Sequence, residues 1–342
     1  MSQWVQALDR IGGRGLNAVM VTIASGKGST PREAGAKMVV TLNALHGTIG
    51  GGDVEFQAID IAREMLRETD ARRSKRFPLG ASFGQYCGGA ANLAFELVPA
   101  RAEWVGVLCS WLEAGDACVM VTPAQDAGIG GRLLVRTGDS YGTLGSPERD
   151  VGTIATARGF MRDGGSAVTL VAISGGSDAL FERVEPVRFN VVLFGAGHVG
   201  RALVRVLGTV DARITWVDSR ANEFPREVPD NTCVVLSDEP LSEVQAARPG
   251  SHFLVMTHSH ALDLELVEAI LRRDDIAFCG MIGSDTKRRT FENGLAKRGL
   301  AASALARFTC PIGISSLTGK DPGTIAVAVA AQLLERWERP PA

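Results

Sequence analysis

A chain of 342 residues is too long for one ordinary core and fits two domains of common size. Hydrophobic residues make up 45% and charged residues 22%, the balance of a folded globular protein, and with a net charge of -2 nothing points to nucleic acid or an anionic membrane surface. No apolar run reaches the roughly 20 residues that span a bilayer. The start MSQWVQALDR lacks the basic-then-apolar pattern of a signal peptide, so a cytoplasmic location is expected.

In chain order, Trp4, Ala7, Leu8 and Ile11 recur at helical spacing and predict a short first helix. Residues 17–24 and 37–42 read as strands, separated by SGKGSTPREAGA, a loop dense in glycine, proline and serine. A triple-glycine turn, Gly50-Gly51-Gly52, then runs directly into a strongly amphipathic helix. Strands are expected over 92–98, 117–122, 133–136 and 167–173, and helices over 102–114 and 148–161, an α/β or α+β domain. No internal repeat is expected. Alternating charge and a proline in ERVEPVRFN set a boundary near Pro186, which divides the chain into an N-terminal domain, 1–186, and a C-terminal domain, 187–342. Beyond it, short apolar runs at 191–194, 213–217, 233–236, 253–256 and 278–281 alternate with helix-length segments that include 199–207 and 264–272. That alternation predicts right-handed βαβ units and a Rossmann-type parallel sheet. A last helix over 323–336, rich in alanine and valine, is expected to be buried on more than one face.

The clearest motif is Gly195-Ala196-Gly197-His198-Val199-Gly200, which follows the apolar strand NVVLF and opens the apolar helix VGRALVRVL. In that setting Gly195 permits a tight turn, Gly197 lets backbone approach a pyrophosphate, and Gly200 lets helix and strand pack closely. The helix N-terminus adds free N–H groups and positive potential. Asp218 ends the next strand, where an acidic side chain binds ribose hydroxyls. His198 is either a phosphate contact or an exposed turn residue. His258 and His260, in THSHALDLE after the strand FLVM, stand where parallel sheets bind ligands, or form a polar loop capped by Ser259 or Asp263. Taken alone, this half fits an NAD(P)-dependent oxidoreductase or a nucleotide-sensing module, with His258 and His260 the only residues placed for acid–base work.

In the N-terminal half, Ser25-Gly26-Lys27-Gly28-Ser29-Thr30-Pro31-Arg32-Glu33 and Gly47-Thr48-Ile49-Gly50-Gly51-Gly52 each offer glycines, hydroxyls and backbone N–H groups suited to an anion. Neither is a Walker motif, and taken alone both read as plain tight turns. Gln85-Tyr86-Cys87-Gly88-Gly89 either leaves Cys87 open to a bulky partner or makes it an ordinary turn cysteine with no ligand, and Cys310, in a similar loop, has the same two readings. Cys109, Cys118 and Cys233 sit in apolar runs and are expected to be buried. With no CxxC among the six cysteines, no zinc-finger pattern or disulfide framework is indicated.

As an ordered set, these residues resemble the xanthine dehydrogenase accessory proteins, the XdhC/CoxI family. The resemblance rests on Gly28 to Glu33 with Gly35, Gly47 to Gly52 with Glu55, and Cys87-Gly88-Gly89. It continues through Gly195 to Gly200 and Thr257-His258-Ser259-His260 with Asp263 and Glu265, then Gly280-Met281-Ile282-Gly283-Ser284 with Lys287 and Arg288, and Pro311-Ile312-Gly313. It implies a chaperone that binds the molybdenum cofactor, as molybdopterin or its dinucleotide form, and protects it during sulfuration. The sulfur comes from a cysteine desulfurase, and the finished cofactor passes to an apo-molybdenum hydroxylase of the xanthine dehydrogenase type. Such a protein is accessory and has no turnover of its own; NAD(P) is the alternative ligand, and a homodimer is expected. The implied cofactor residues are Gly28, Ser29, Thr30, Arg32, Gly50, Gly51, Gly52, Gln85 and Cys87, then Gly195, Gly197, His198, Gly200, Asp218, His258, His260, Gly283, Ser284 and Lys287. Cys87 is the expected soft ligand to the metal.

Overall fold

Helix α1 (Gln3–Gly13) buries Val5, Ala7, Leu8 and Ile11, the stripe that the sequence predicts. The computed structural model describes residues 2–28, 30, 32–79, 89–124, 131–163, 166–174 and 177–339, which fall into two units, Met1–Pro186 and Val187–Ala342. In the first unit α1 is followed by β1 (Ala18–Lys27), β2 (Lys37–Val40), β3 (Leu45–Gly47), α2 (Gly52–Glu68), β4 (Arg72–Leu79) and β5 (Gly89–Val98). The strands form an antiparallel sheet in the order β3-β2-β1-β5-β4. The same series then recurs as α3 (Glu103–Ala114), β6 (Cys118–Pro123), β7 (Arg132–Val135), β8 (Ser140–Thr143), α4 (Pro147–Arg162), β9 (Val168–Ile173) and β10 (Ser177–Val184). Its antiparallel sheet has the matching order β8-β7-β6-β10-β9.

The first unit is therefore an internal repeat, a correction to the sequence expectation. Trp4, Val5 and Leu8 correspond to Trp104, Val105 and Leu108, and Val19-Met20-Val21-Thr22 corresponds to Val119-Met120-Val121-Thr122. Register agrees as well: Met20 pairs with Glu96 across β1 and β5, and Met120 with Glu182 across β6 and β10. The repeat is hard to see in sequence because its matches are mostly the apolar alternation of any half-buried strand, and its loops differ in length. Strands β3, β4, β8 and β10 were also not expected. Arginines and lysines fill β4, and β10 mixes Asp178, Glu182 and Arg183 into its apolar alternation, which masks the strand period.

Alternation along each central strand explains the layering. Val19, Val21 and Ile23 face α2 in one core, and Val119 and Val121 face α4 in its counterpart. Met20, Met120, Leu134 and Val184 point the other way into a shared core with α1 and α3. Two buried ion pairs cross between the repeats. Lys37 on β2 bonds Glu182 on β10, and Arg132 on β7 bonds Glu96 on β5. Each cation also lies over the tryptophan of its own repeat, Lys37 at 5.3 Å from the Trp4 centroid and Arg132 at 3.8 Å from that of Trp104. The reciprocal exchange is that of an isologous dimer interface folded into one chain.

The second unit runs β11 (Asn190–Phe194), α5 (His198–Leu207), β12 (Arg213–Asp218), β13 (Thr232–Leu236), α6 (Pro240–Ala246), β14 (His252–Val255), α7 (His260–Leu271), β15 (Phe278–Met281), α8 (Asp285–Lys297), α9 (Ala302–Leu305), β16 (Phe308–Thr309) and α10 (Pro322–Glu338). Its six parallel strands lie in the order β13-β12-β11-β14-β15-β16, the doubly wound Rossmann arrangement. Val191 and Leu193 face the core beneath α5 and α10, while Val192 and Phe194 face the one beneath α7 and α8. Cys233 is exposed, not buried as its apolar run suggested, because β13 is an edge strand with Val234 and Leu236 also in solvent.

Candidate functional site

Strand order reverses between β11 and β14, and that switch point is where an open α/β sheet takes a ligand. The three glycines of the β11–α5 loop meet three different demands. Gly195 has φ +115°, and a Cβ there would collide with the Met256 carbonyl of the neighbouring strand. A Cβ at Gly200 would collide with the Gly195 carbonyl, so this glycine lets α5 pack onto β11. At Gly197 an added Cβ meets nothing within 4 Å, so this glycine serves approach from outside and not internal packing. Gly197 is the N-cap of α5, and no side chain caps the helix, whereas Ser259, Ser284 and Asp321 cap α7, α8 and α10. The N–H groups of the first turn thus have no side-chain acceptor among the described residues. A small crevice of about 100 Å³ opens at the ends of β11, β12 and β14, lined by Gly195, Asp218, Ser237, Thr257 and His258 among others. His198 and His260 are exposed on the first turns of α5 and α7.

Asp218 ends β12 as expected, but its carboxylate is already fully engaged. Oδ2 accepts from the Ala196 N–H at 2.7 Å and from Arg220 Nη2 at 2.9 Å. Oδ1 accepts from the Arg220 N–H at 3.0 Å and its Nε at 2.9 Å. Those four donors fill the four acceptor positions of a carboxylate. Arg220, which the sequence reading missed, is signalled only by its place two residues after the strand-end aspartate. A ribose could reach Asp218 only by displacing this guanidinium.

Burial alone would raise the Asp218 pKa, but the bonds from Arg220 and Ala196 outweigh it and hold the group at about 2. A carboxylate lowered from 3.8 stabilises the fold fully above that value and loses the contribution as pH falls toward 2. Asp218→Asn should therefore cost about 2 kcal/mol at neutral pH, and the cost should shrink through that acid window. Melting curves of both proteins from pH 7 to pH 2 check this; a gap independent of pH would refute it.

Further along the crevice edge, the predicted contacts prove to hold one another. Asp263 is fully buried and accepts from the Thr257 hydroxyl at 2.7 Å and from Lys287 Nζ at 2.9 Å. Lys287 thus ties α8 to α7. Ser284 caps α8 by accepting from the Lys287 N–H at 3.2 Å. A Cβ at Gly283 would stand 2.8 Å from Cys310 Sγ. Cys310 is buried, not displayed on its loop, and burial pushes its thiol up to about 11.

In the first unit the triple-glycine turn holds a carboxylate of its own. Glu55, one turn into α2, accepts from the Ile49 N–H at 2.9 Å, the Gly51 N–H at 3.1 Å and the Thr48 hydroxyl. Gly50 donates to Thr48 Oγ1 at 3.0 Å, and Gly52 follows as the first residue of α2. The second repeat builds the same turn from Thr143, Leu144, Gly145 and Asp150, with Leu144 N–H at 2.7 Å from Asp150. Gly28 (φ +75°) ends the β1 extension, and Thr30 packs back on Gly26 while Arg32 is exposed. Ser29, Gln85 and Cys87 lie outside the described residues. Among the described residues no cluster of three His, Cys, Asp or Glu is arranged to hold a metal.

Residues 191–333 match the family model described as the XdhC Rossmann domain, and residues 13–77 match that of the XdhC and CoxI family. The chain is 22% identical over 336 residues to a Bacillus subtilis (strain 168) protein named as a probable xanthine dehydrogenase subunit, covering 94% of each protein. It is 29% identical over 164 residues to "Uncharacterized protein YqeB" of Escherichia coli (strain K12), covering 47% of this chain and only 30% of that protein's length. A crystal structure described as a xanthine dehydrogenase from Bacillus halodurans superposes on 100% of this chain and 97% of its own with a TM-score of 0.70 at 20% identity, a likeness of fold. With both models matched in chain order, one in each structural unit, the chain belongs to the XdhC and CoxI family.

Proposed function

We propose that this protein is a maturation factor for a molybdenum hydroxylase of the xanthine dehydrogenase type. It holds the molybdenum cofactor while a cysteine desulfurase provides the terminal sulfur, and then passes it to the apo-enzyme. The observation that carries this reading is the pair of family matches, supported by the B. subtilis relative whose name places it with xanthine dehydrogenase. The crevice of the second unit suits the phosphate or nucleotide end of such a cofactor. The N–H groups at Gly197 and His198 would receive the phosphate at the positive end of α5, and Arg220 would supply charge beside it. Thiolate ligation of the metal is assigned to Cys87, since Cys310 is buried and protonated at neutral pH.

Deleting the protein should leave the partner hydroxylase at normal abundance but inactive, because its folding needs no help while its finished molybdenum centre does. Immunoblot and activity assay of a deletion strain read this directly. Full activity without the protein, in a strain with no second family member, would remove the proposal. Warming the purified protein with molybdenum cofactor, NAD and NADP in turn identifies the ligand by which one raises the melting temperature. Protection by NAD or NADP alone would favour an oxidoreductase or a nucleotide sensor.

A further inference from the structure

Where Ala18 on β1 pairs with Val98 on β5, the opposite end of that strand pair from Lys27 and Ala90, a cavity of about 370 Å³ opens between the C-terminal half of α1 and the first turn of α3. Its floor is the buried apolar set Leu8, Ile11, Ala18, Val98 and Val105. An added Cβ at Gly13 or Gly106 meets nothing within 4 Å, so these two glycines leave the space open, whereas Gly12 is needed to admit the Ala100 carbonyl.

The second repeat shows what belongs in such a place. The equivalents of Ile11, Gly13 and Gly106 are Trp111, Glu113 and Gln6, each the larger residue. The Trp111 ring is 6% exposed and lies under the Arg136 guanidinium, 4.7 Å from its centroid. Asp116 and Asp139 hold that arginine in turn. The first repeat has lost every charge of this cover: Leu16 stands for Asp116, Thr41 for Arg136 and Ala44 for Asp139. The two hairpins are in register, since the Thr41 N–H donates to the Ala44 carbonyl at 2.9 Å as the Arg136 N–H does to that of Asp139 at 3.0 Å. On the same hairpin Leu42 and Leu45 replace Thr137 and Ser140. Leu16, which lines the opening, is 52% exposed, and Leu42 and Leu45 are 53% and 44% exposed. Single exposed leucines are ordinary, but three that replace the polar cover of a buried ring mark an interaction site.

We infer that this opening is a docking site for another protein, which inserts a tryptophan side chain flanked by aliphatic residues. The indole takes the place that Trp111 fills in the second repeat, and the flanking residues cover the exposed leucines. A second copy of this chain does not offer the anchor, because all five tryptophans are engaged within their own chain. Trp4, Trp104 and Trp111 lie under cations, Trp216 is fully buried, and Trp337 stacks on Phe189. The site belongs to the first unit alone, whatever the crevice of the second unit binds.

Acetyl-Leu-Trp-Leu-amide made with fluorotryptophan is the probe, and acetyl-fluorotryptophan amide is its single-residue control, both followed by fluorine NMR with the full chain. The tripeptide should bind saturably and about tenfold more tightly than the single residue. Gly106→Gln, which restores the residue of the other repeat, should weaken both probes about tenfold or more. It should also raise the melting temperature, since a helical glycine gives way to a better helix former. Leu42→Thr with Leu45→Ser should remove most of the tripeptide's advantage and leave the single residue within about twofold. No saturable tripeptide binding, or equal binding by the wild type and Gly106→Gln, would overturn the assignment. Equal affinity for the two probes would overturn it in favour of a small aromatic molecule. A wild-type dimer that Gly106→Gln dissociates in sedimentation would overturn it in favour of a second copy. The melting shift given by a ligand of the second unit should be the same in all three proteins, which separates failure here from failure of the cofactor reading.

Discussion

Glu182→Ala is expected to destabilise the first unit by roughly 3–5 kcal/mol, the cost of leaving a buried charge without its partner. Lys37 has no route to solvent: its side chain is 4% exposed and lies over the Trp4 ring. Burial already lowers the Lys37 pKa, and the attraction of Glu182 opposes that drop. Without Glu182 the lysine would fold in its neutral form, so unfolding would take up a proton. The penalty should therefore shrink as pH rises toward the ordinary lysine value of 10.5. A double variant, Lys37→Met with Glu182→Leu, should recover most of the loss, since two apolar side chains of similar size need no partner. Calorimetry of the single and double variants tests the set, and a double variant no better than Glu182→Ala would show that the charges do more than neutralise each other.

The second large effect separates two glycines that lie two residues apart. Gly195→Val should destabilise the second unit by roughly 3 kcal/mol or more, of the order expected for a β-branched residue forced to φ +115° with its Cβ against a backbone carbonyl. Gly197→Val should cost under about 1 kcal/mol, a poorer N-cap only, because its Cβ meets nothing. The second variant should instead lose ligand affinity at least tenfold, about 1.4 kcal/mol. Thermal melts with ligand titration check both, and retained affinity in Gly197→Val would mean that nothing approaches the loop.

What could be read from the sequence followed the range of the interactions. Parallel strands buried on both faces are continuous apolar runs, so β11, β12, β14 and β15 stood out, as did the glycine spacing before α5. The two-residue β16 carries too little pattern to show. In the first unit the charged strands β4 and β10 broke the apolar period, because Arg72 and Glu182 are satisfied by partners far along the chain. The same gap limited the site. Spacing placed Gly50, Gly51 and Gly52 at a helix start but could not reveal that Glu55 folds back onto their turn. The family resemblance named Lys287 as a cofactor contact, and nothing in the spacing signals that Asp263 already holds it. Residue type suggested an open thiol at Cys310, while the packing of Gly283 against its sulfur is a matter of three dimensions.

The crossed pairs Lys37–Glu182 and Arg132–Glu96 have a consequence for how the first unit can be taken apart. Every backbone ladder closes within one repeat, so a cut in the turn at Pro99–Ala102 severs no sheet. Each fragment would nonetheless carry one cation and one carboxylate whose complements are on the other. Two separated halves should thus be poor monomers yet bind each other selectively, and a matched charge reversal at positions 37 and 182 would create a second pair that recognises its own mate and rejects the original. The duplicated architecture is in effect a lock whose two keys have been exchanged, ready for use as a split reporter.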